Sequence, residues 1–493
     1  MSNLKALGKD SAVYGFGTVL KKFIGILLLP FYTRALSPSE YGILDTLVTF
    51  AFFTSIILSL GLAGATSRYY FIADTEKEKG QVLYTSLVIR IFSYLIPLFF
   101  LIYFSNNISE LLFKTDEYKY VVAISLATIF ITAMFEIQSQ IFRFNREPWK
   151  FTLVNIVRAI ITPIAGILLV VILKLGVFGA TLSSFITSTI ILIFAFFYYT
   201  RKKYTRDFSK YWAKKMLKFG FPLIFTGILV WVNSMSDRFF LLHYSTLEQI
   251  GLYSIGNTFS QPITFINMAL TMSATVLVFS LYNDEQDENK AKTKAFLTKI
   301  WYSYLFISIT IATLISIFSY DIVNFITTPK YIEGILAIPF LMFSLIIYQS
   351  SQITGNGMTI KEQSKQYFWI MLIGSGTNVI LNFYFIPKFG FVGAAFTTVT
   401  SNSVYFIIAY FWSQKYFYIK RSFVLPMGYF FIALGISLFF PFARLKFNLD
   451  ISVWVKILVF LISLTLPFIF KVMKIQMAKS YTLEFWKILK KRN

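Results

Sequence analysis

Apolar runs of about 20 residues, the length that crosses a hydrocarbon core, recur along this chain with only short charged stretches between them. In lipid every backbone N–H and C=O must be satisfied within the protein, so such runs fold as helices. Reading runs against breaks gives fourteen spans, at about 11–32, 43–66, 83–104, 119–142, 151–173, 176–199, 217–242, 250–281, 299–319, 334–356, 367–386, 390–412, 425–442 and 452–470. Of the 493 residues only 14% are charged, and no stretch remains that would make a sizeable soluble domain. The first span starts about ten residues in and lacks a small-residue cleavage site, so it reads as a retained span of a protein that begins near Met1.

The net charge of +23 would suit nucleic acid, but the placement of the 46 Lys and Arg assigns it to topology. With both termini cytoplasmic, eight lie in external loops: Arg34, Lys114, Lys119, Lys174, Lys330, Lys388, Arg444 and Lys446. Six lie within spans and the other 32 fall on the internal side, so both termini are expected inside and no nucleic-acid partner is expected. The densest internal cluster, Arg201 to Lys218, reads as topogenic charge on anionic headgroups or as a docking site for a partner enzyme. The tail after Val472 places Met473, Met477, Tyr481, Phe485 and Leu489 at helical spacing, which predicts a helix on the membrane surface.

An internal repeat organises the spans. Lys174-Leu-Gly-Val-Phe-Gly-Ala180 returns 214 residues later as Lys388-Phe-Gly-Phe-Val-Gly-Ala394. Ser37-Pro-Ser-Glu-Tyr-Gly-Ile43 returns after 209 as Thr246-Leu-Glu-Gln-Ile-Gly-Leu252. Two similar offsets imply two six-helix halves of the same orientation, the parallel repeat of alternating-access transporters. The expected fold is therefore all-α and membrane-integral, with two pseudo-symmetric six-helix lobes and two further C-terminal helices. The lobes are placed at 1–200 and 217–412, a basic cytoplasmic linker at 201–216, the two extra helices at 425–470 and a basic tail at 471–493.

Several chemistries are excluded or unsupported. There is no cysteine, and His243 is the only histidine, which removes thiol catalysis and two-His metal sites. Neither GxxxxGK[ST] nor HExxH occurs, and Gly355-Asn-Gly357 is a lone glycine pair in a membrane segment. No catalytic residue, metal or cofactor is expected.

The first span ends Leu29-Pro-Phe-Tyr-Thr-Arg34, and Leu36-Ser-Pro-Ser-Glu-Tyr-Gly42, Ser59-Leu-Gly-Leu62 and Ser67-Arg-Tyr-Tyr70 follow. Together with the two Gly-x-x-Gly-Ala turns, these resemble the polysaccharide transporter branch, the Wzx-type O-antigen or oligosaccharide flippases, of the multidrug/oligosaccharidyl-lipid/polysaccharide exporter superfamily. The resemblance implies a twelve-helix core of two lobes with two added helices. It also implies a bacterial cytoplasmic-membrane protein that moves an undecaprenyl-diphosphate oligosaccharide outward for cell-surface polysaccharide such as lipopolysaccharide. Its expected contacts are that lipid-linked oligosaccharide and membrane lipids, with a polysaccharide polymerase or another assembly protein as a further partner.

An ionisable side chain within a span is a functional candidate by default. The basic ones are Lys21, Lys22, Arg90, Arg158, Arg238 and Lys456. Lys21 and Lys22, flanked by Gly17 and Gly25, either meet an anionic substrate or snorkel. Arg90 and Arg158 sit near the internal ends of their spans with Glu136 at similar depth, and an ion pair of Glu136 with one of them would free the other. Lysines at mid-depth and guanidinium forks near the mouth would form a graded path for a diphosphate, and Arg238 joins the substrate-binding candidates. Glu136 and Asp237 are candidates for a coupling ion or an ion pair. Asn155, Asn233, Asn257, Gln261 and Gln352 are candidate sugar contacts, although amides equally join helices. Two rivals stay open. A cation-coupled multidrug antiporter would prefer an acidic cavity, and a membrane polysaccharide synthase or polymerase would change its substrate covalently.

Overall fold

The computed structural model describes residues 24–268, 287–355, 358, 363–416, 418–419, 424–470 and 472. Every regular element among them is helical. The helices are α1 (Ile24–Ala35), α2 (Pro38–Leu58), α3 (Leu62–Ile72), α4 (Glu76–Tyr103), α5 (Ser105–Phe113), α6 (Lys119–Phe144), α7 (Pro148–Gly166), α8 (Gly176–Ala195), α9 (Lys210–Tyr244) and α10 (Leu247–Ser260). They continue with α11 (Asp287–Ile317), α12 (Ser319–Ile326), α13 (Ile338–Thr354), α14 (Ser364–Tyr416), α15 (Val424–Lys446), α16 (Val453–Ser463) and the short α17 (Leu466–Ile469). Each of the fourteen expected spans coincides at least in part with one of these. Among the described residues nine helices are long and apolar enough to cross a membrane, or ten if Pro329–Leu336 and Ile338–Thr354 form one bent span. The surface tail expected after Val472 lies outside the described residues.

Local chemistry sets the boundaries. Ser37 caps α2 in a capping box: its hydroxyl accepts from Glu40 N, and the Glu40 carboxylate accepts from Ser37 N at 2.7 Å. Thr75 and Glu78 repeat the device at α4, and the Ser209 hydroxyl caps α9 by accepting from Trp212 N. Each cap stabilises its helix start by about 1 kcal/mol. Gly61, at φ 66°, breaks α2 from α3. Within α14, Gly390 (φ 54°, ψ −135°) turns the chain between the eleventh and twelfth expected spans. Its repeat partner Gly176 has the same φ of 54° before α8, so the two halves use one turn geometry where only glycine sits without strain.

The chain packs as two compact units, Met1–Ser254 with Asn378–Ala394, and Ile255–Thr377 with Ala395–Asn493. In the first, α8 packs on α6 and α7, α4 on α6, and α9 on α2, α3 and α4. A core of Leu47, Tyr94, Leu98, Val122, Leu126 and Ile129 fills the space between α2, α4 and α6. In the second, α11 is the hub, touching α13, α15 and α16. Large apolar side chains such as Phe99, Tyr103, Leu111 and Phe325 are exposed, which suits helices whose outer faces meet lipid rather than water.

The other repeated motif shows why its glycine recurs. A Cβ on Gly42 would strike the carbonyl of Leu247, and a Cβ on Gly251 would strike that of Pro38. The positions interchange under the repeat, so the starts of α2 and α10 touch backbone to backbone through two glycines.

Candidate functional site

Lys21 and Lys22 lie outside the described residues. The other charged candidates separate into two groups within the first unit.

The first group lies among α4, α6, α7 and α8. Arg90 on α4 is wholly buried; its Nη1 donates to the Ala133 carbonyl at 3.2 Å and to Glu136 Oε2 at 3.3 Å, both on α6. Glu136 therefore pairs with Arg90, the choice that spacing left open. The Glu136 side chain is 52% exposed, unlike Arg90 at 0%, so half of the pair faces outward from an otherwise buried stretch of α6. Arg158 on α7 has neutral partners. Its Nη2 donates to Ser188 Oγ on α8 at 3.0 Å and to Thr132 Oγ1 on α6 at 3.4 Å, and its guanidinium lies 5.2 Å from the Phe135 ring centroid. Thr162 and Thr187 join hydroxyls at 2.9 Å one turn away. Arg158 is partly exposed, so a cation held by hydroxyls and a ring remains within reach of a ligand. Asn155 donates to the Phe151 carbonyl of its own helix at 2.8 Å.

The second group joins α2, α9, α10 and the Asn378–Ala394 segment of α14. Arg238 Nε donates to Asp45 Oδ2 at 3.0 Å, its Nη1 to the Ser234 carbonyl at 3.1 Å, and the guanidinium lies 4.9 Å from the Tyr253 ring centroid. Asp237, adjacent in sequence, has hydrogen-bond partners of its own. The Asp237 carboxylate accepts from the Tyr253 hydroxyl and from Asn382 Nδ2, each at 2.7 Å. Asn378 Oδ1 accepts from Asn382 Nδ2 at 3.0 Å and from Ser236 Oγ at 3.2 Å. Asp237 and Arg238 are buried. Successive residues of one helix turn point about 100° apart, which is why neighbours in sequence serve different partners. Asn233, also on α9, is buried.

In the second unit the polar side chains mostly join helices. Gln349 donates to Thr264 Oγ1 at 3.2 Å, Asn402 to Ser344 Oγ at 2.7 Å, and Asn267 to Gln352 Oε1 at 3.5 Å, while Gln261 donates to the Asn257 carbonyl of its own helix at 3.3 Å. Lys456 Nζ pairs with Asp321 Oδ2 at 2.5 Å and so ties α16 to α12.

Sequence reasoning did not single out Asp45, Tyr253 or Tyr204. Asp45 carries its own signal, an acidic residue inside an apolar span. Tyr253 and Tyr204 carry none, because aromatic residues are abundant in this chain.

The family model described as "Polysaccharide biosynthesis protein" matches residues 7–280, more than half of the chain. This chain belongs to that family. A second model, MatE, matches residues 222–384 of this polysaccharide biosynthesis protein. It is 24% identical over 269 residues to an Lsg locus protein of Haemophilus influenzae, covering 53% of this chain and 63%, less than two thirds, of that one. To an uncharacterized membrane protein of Methanocaldococcus jannaschii it is 21% identical over 468 residues, or 90% of this chain and 91% of the other. In fold it is similar to a lipid II flippase, MurJ, in an inward closed conformation, with a TM-score of 0.72 at 17% identity over 93% of this chain and 98% of that one. It is also similar to an inward-facing multidrug resistance MATE family transporter of the MOP superfamily, with a TM-score of 0.66 at 13% identity over 80% and 94%. The superfamily expected from the turn motifs and the all-helical two-lobe fold are thereby borne out.

Proposed function

We propose that this polysaccharide biosynthesis family member is a flippase that carries a prenyl-diphosphate oligosaccharide from the cytoplasmic to the outer leaflet by alternating access, without changing it covalently. The observation that carries the reading is Arg158, a partly exposed guanidinium deep in an apolar helix and held by two hydroxyls and a ring. Such a group costs several kcal/mol in hydrocarbon unless it serves an anion or meets water. Its planar donor fork matches a phosphate oxygen pair. The half-exposed Glu136 beside it faces outward from the same stretch of α6 and is the candidate ion-coupling group there, while Asp237 is the candidate in the second group. Lys21 and Lys22 complete the cationic path of this reading. Asn155, Asn233, Asn257, Gln261 and Gln352 are its sugar-contact candidates.

Outward movement of an anion is assisted by an inside-negative potential at about 2.3 kcal/mol per charge per 100 mV. Two diphosphate charges would thus gain about 4–5 kcal/mol at about 100 mV. The setting proposed is the bacterial inner membrane with both termini cytoplasmic, and a polysaccharide polymerase is the partner that would consume the product.

The test is the leaflet sidedness of a radiolabelled prenyl-diphosphate oligosaccharide in proteoliposomes under an imposed potential. Protein-dependent outward appearance of the unaltered lipid supports the flippase. Movement of cationic drugs with none of the lipid would replace it with the multidrug reading, and a lengthened glycan would replace it with a polymerase.

A further inference from the structure

Arg90 uses one edge of its guanidinium and leaves the other bare. Nη1 has two acceptors, whereas among the described residues Nε and Nη2 are buried without a hydrogen-bond partner. Those two nitrogens share the side edge of the guanidinium, where their N–H bonds run parallel and grip one anion together. An unmade hydrogen bond at a buried donor costs about 1–3 kcal/mol, and more where the group is charged.

The linker that follows α8 carries a third buried donor. Tyr204 packs against the cluster that holds Leu83, Leu87 and Ile137. Leu83 and Leu87 precede Arg90 by two turns and one turn on the same face of α4, and Ile137 lies one turn from Ala133 on α6. The Tyr204 hydroxyl is buried and, among the described residues, has no partner. Burial holds it protonated, and the Arg90 charge acts on it in the opposite sense. The linker is pinned where it must be for this contact: Gln81 Nε2 donates to Asp207 Oδ2 at 2.5 Å, and Ser209 N donates to Thr85 Oγ1 at 3.0 Å. The nearby polar side chains are engaged elsewhere. The Tyr94 hydroxyl bonds Ser55, and Gln140 Nε2 donates to the Ala63 carbonyl. Three buried donors are thus left without an acceptor among the described residues, and the likewise unpartnered Gln138 Oε1 and Gln140 Oε1 of α6 accept from none of them.

We propose that the Nε/Nη2 edge of Arg90 and the Tyr204 hydroxyl bind one small monovalent anion of the chloride class, held between the cytoplasmic linker and the α4–α6 pair. Arg90 is wholly enclosed, and its charge is already shared with a Glu136 carboxylate that stands half in solvent. Glu136 already balances Arg90 in formal charge, so the site takes at most a single negative charge, held by the bare donors. A phosphate dianion would be larger, costlier to desolvate and incompletely neutralised. The bound anion would fasten the linker to the bundle, and it does not depend on what the chain transports.

The experiment uses the full chain purified in detergent, melted in sodium gluconate and in increasing sodium chloride at fixed ionic strength. A saturable rise in Tm with chloride is expected, since a ligand of the folded state alone stabilises it by mass action. Tyr204→Phe keeps the ring in its cluster, folds, and raises the half-saturating chloride about tenfold through the loss of one hydrogen bond to a charge; Arg90→Lys abolishes the response. Crystals grown in bromide should carry an anomalous peak on the bare edge of Arg90. Equal melting in gluconate and chloride, a chloride effect unchanged by Tyr204→Phe, or an ordinary water without anomalous signal at that edge would each overturn the proposal.

Discussion

Two groups of buried charge in the same unit are built in opposite ways. Around Asp237 and Arg238 the charged groups meet a carboxylate, a phenol, an amide and a carbonyl, contributed by α2, α9, α10 and α14. Around Arg90 and Arg158 the partners are as many but the hydrogen bonds are longer, at 3.0 to 3.4 Å against 2.7 to 3.1 Å. One arginine has a bare edge, the other bonds only hydroxyls, and the acid between them is half exposed. A satisfied network in low dielectric resists change, because removing any member strands the others. An under-satisfied and accessible group holds interaction energy in reserve for a ligand. The Asp237–Arg238 group therefore reads as a joint between helices, and the Arg90–Arg158 group is the candidate for ligand binding.

Substitutions break or sharpen this contrast. The largest effect is expected for Arg238→Ala, which strands Asp45. A loss of about 3–5 kcal/mol should appear as depleted protein in the membrane fraction, and normal levels with an unchanged Tm would sink the idea of a satisfied joint. Arg158→Ala should do the reverse, leaving membrane levels intact and lowering lipid translocation by more than about tenfold, the equivalent of one charge-assisted hydrogen bond. If this variant disappears from the membrane instead, Arg158 is a structural residue and the contrast fails. Asp45→Asn keeps an acceptor for Arg238 Nε but removes the charge, with an expected cost of about 1–2 kcal/mol. A double-mutant cycle with Arg238→Gln should show coupling of at least about 0.5 kcal/mol. Tyr253→Phe removes one hydrogen bond from Asp237, which retains Asn382, and should cost about 1 kcal/mol in thermal melts. The smallest effect is expected in the other unit. Lys456→Met opens a pair whose acid is 44% exposed, so the Tm should move by little more than the scatter, in line with about 0–1 kcal/mol for a solvated ion pair.

Much of the architecture was legible because a bilayer imposes length and polarity on each segment separately. Every expected span met a helix, and the caps at Ser37 and Thr75 stand where a serine or threonine with glutamate three residues on predicts them. The candidate charges were legible for the same reason, since an arginine within an apolar run is conspicuous wherever it packs. Their partners were not. Asp45 and Arg238 are 193 residues apart, and nothing in the order of residues joins them. The bare edge of Arg90 and the burial of the Tyr204 hydroxyl depend on packing between distant segments, which no local pattern encodes.

By itself the sequence determined that the chain lives in a membrane, which segments are helical, where glycines sit in the repeated turns, and which residues carry costly charge. Those properties follow from the transfer energy of short segments and from backbone sterics, both of which act locally. Only the tertiary structure decided that Glu136 pairs with Arg90, that Asp45 pairs with Arg238, and that Gly42 and Gly251 each meet the backbone at the other's helix start. Such choices arise from packing between helices far apart in the chain, where hydrogen-bond and Coulomb energies depend on ångström separations that the order of residues does not specify.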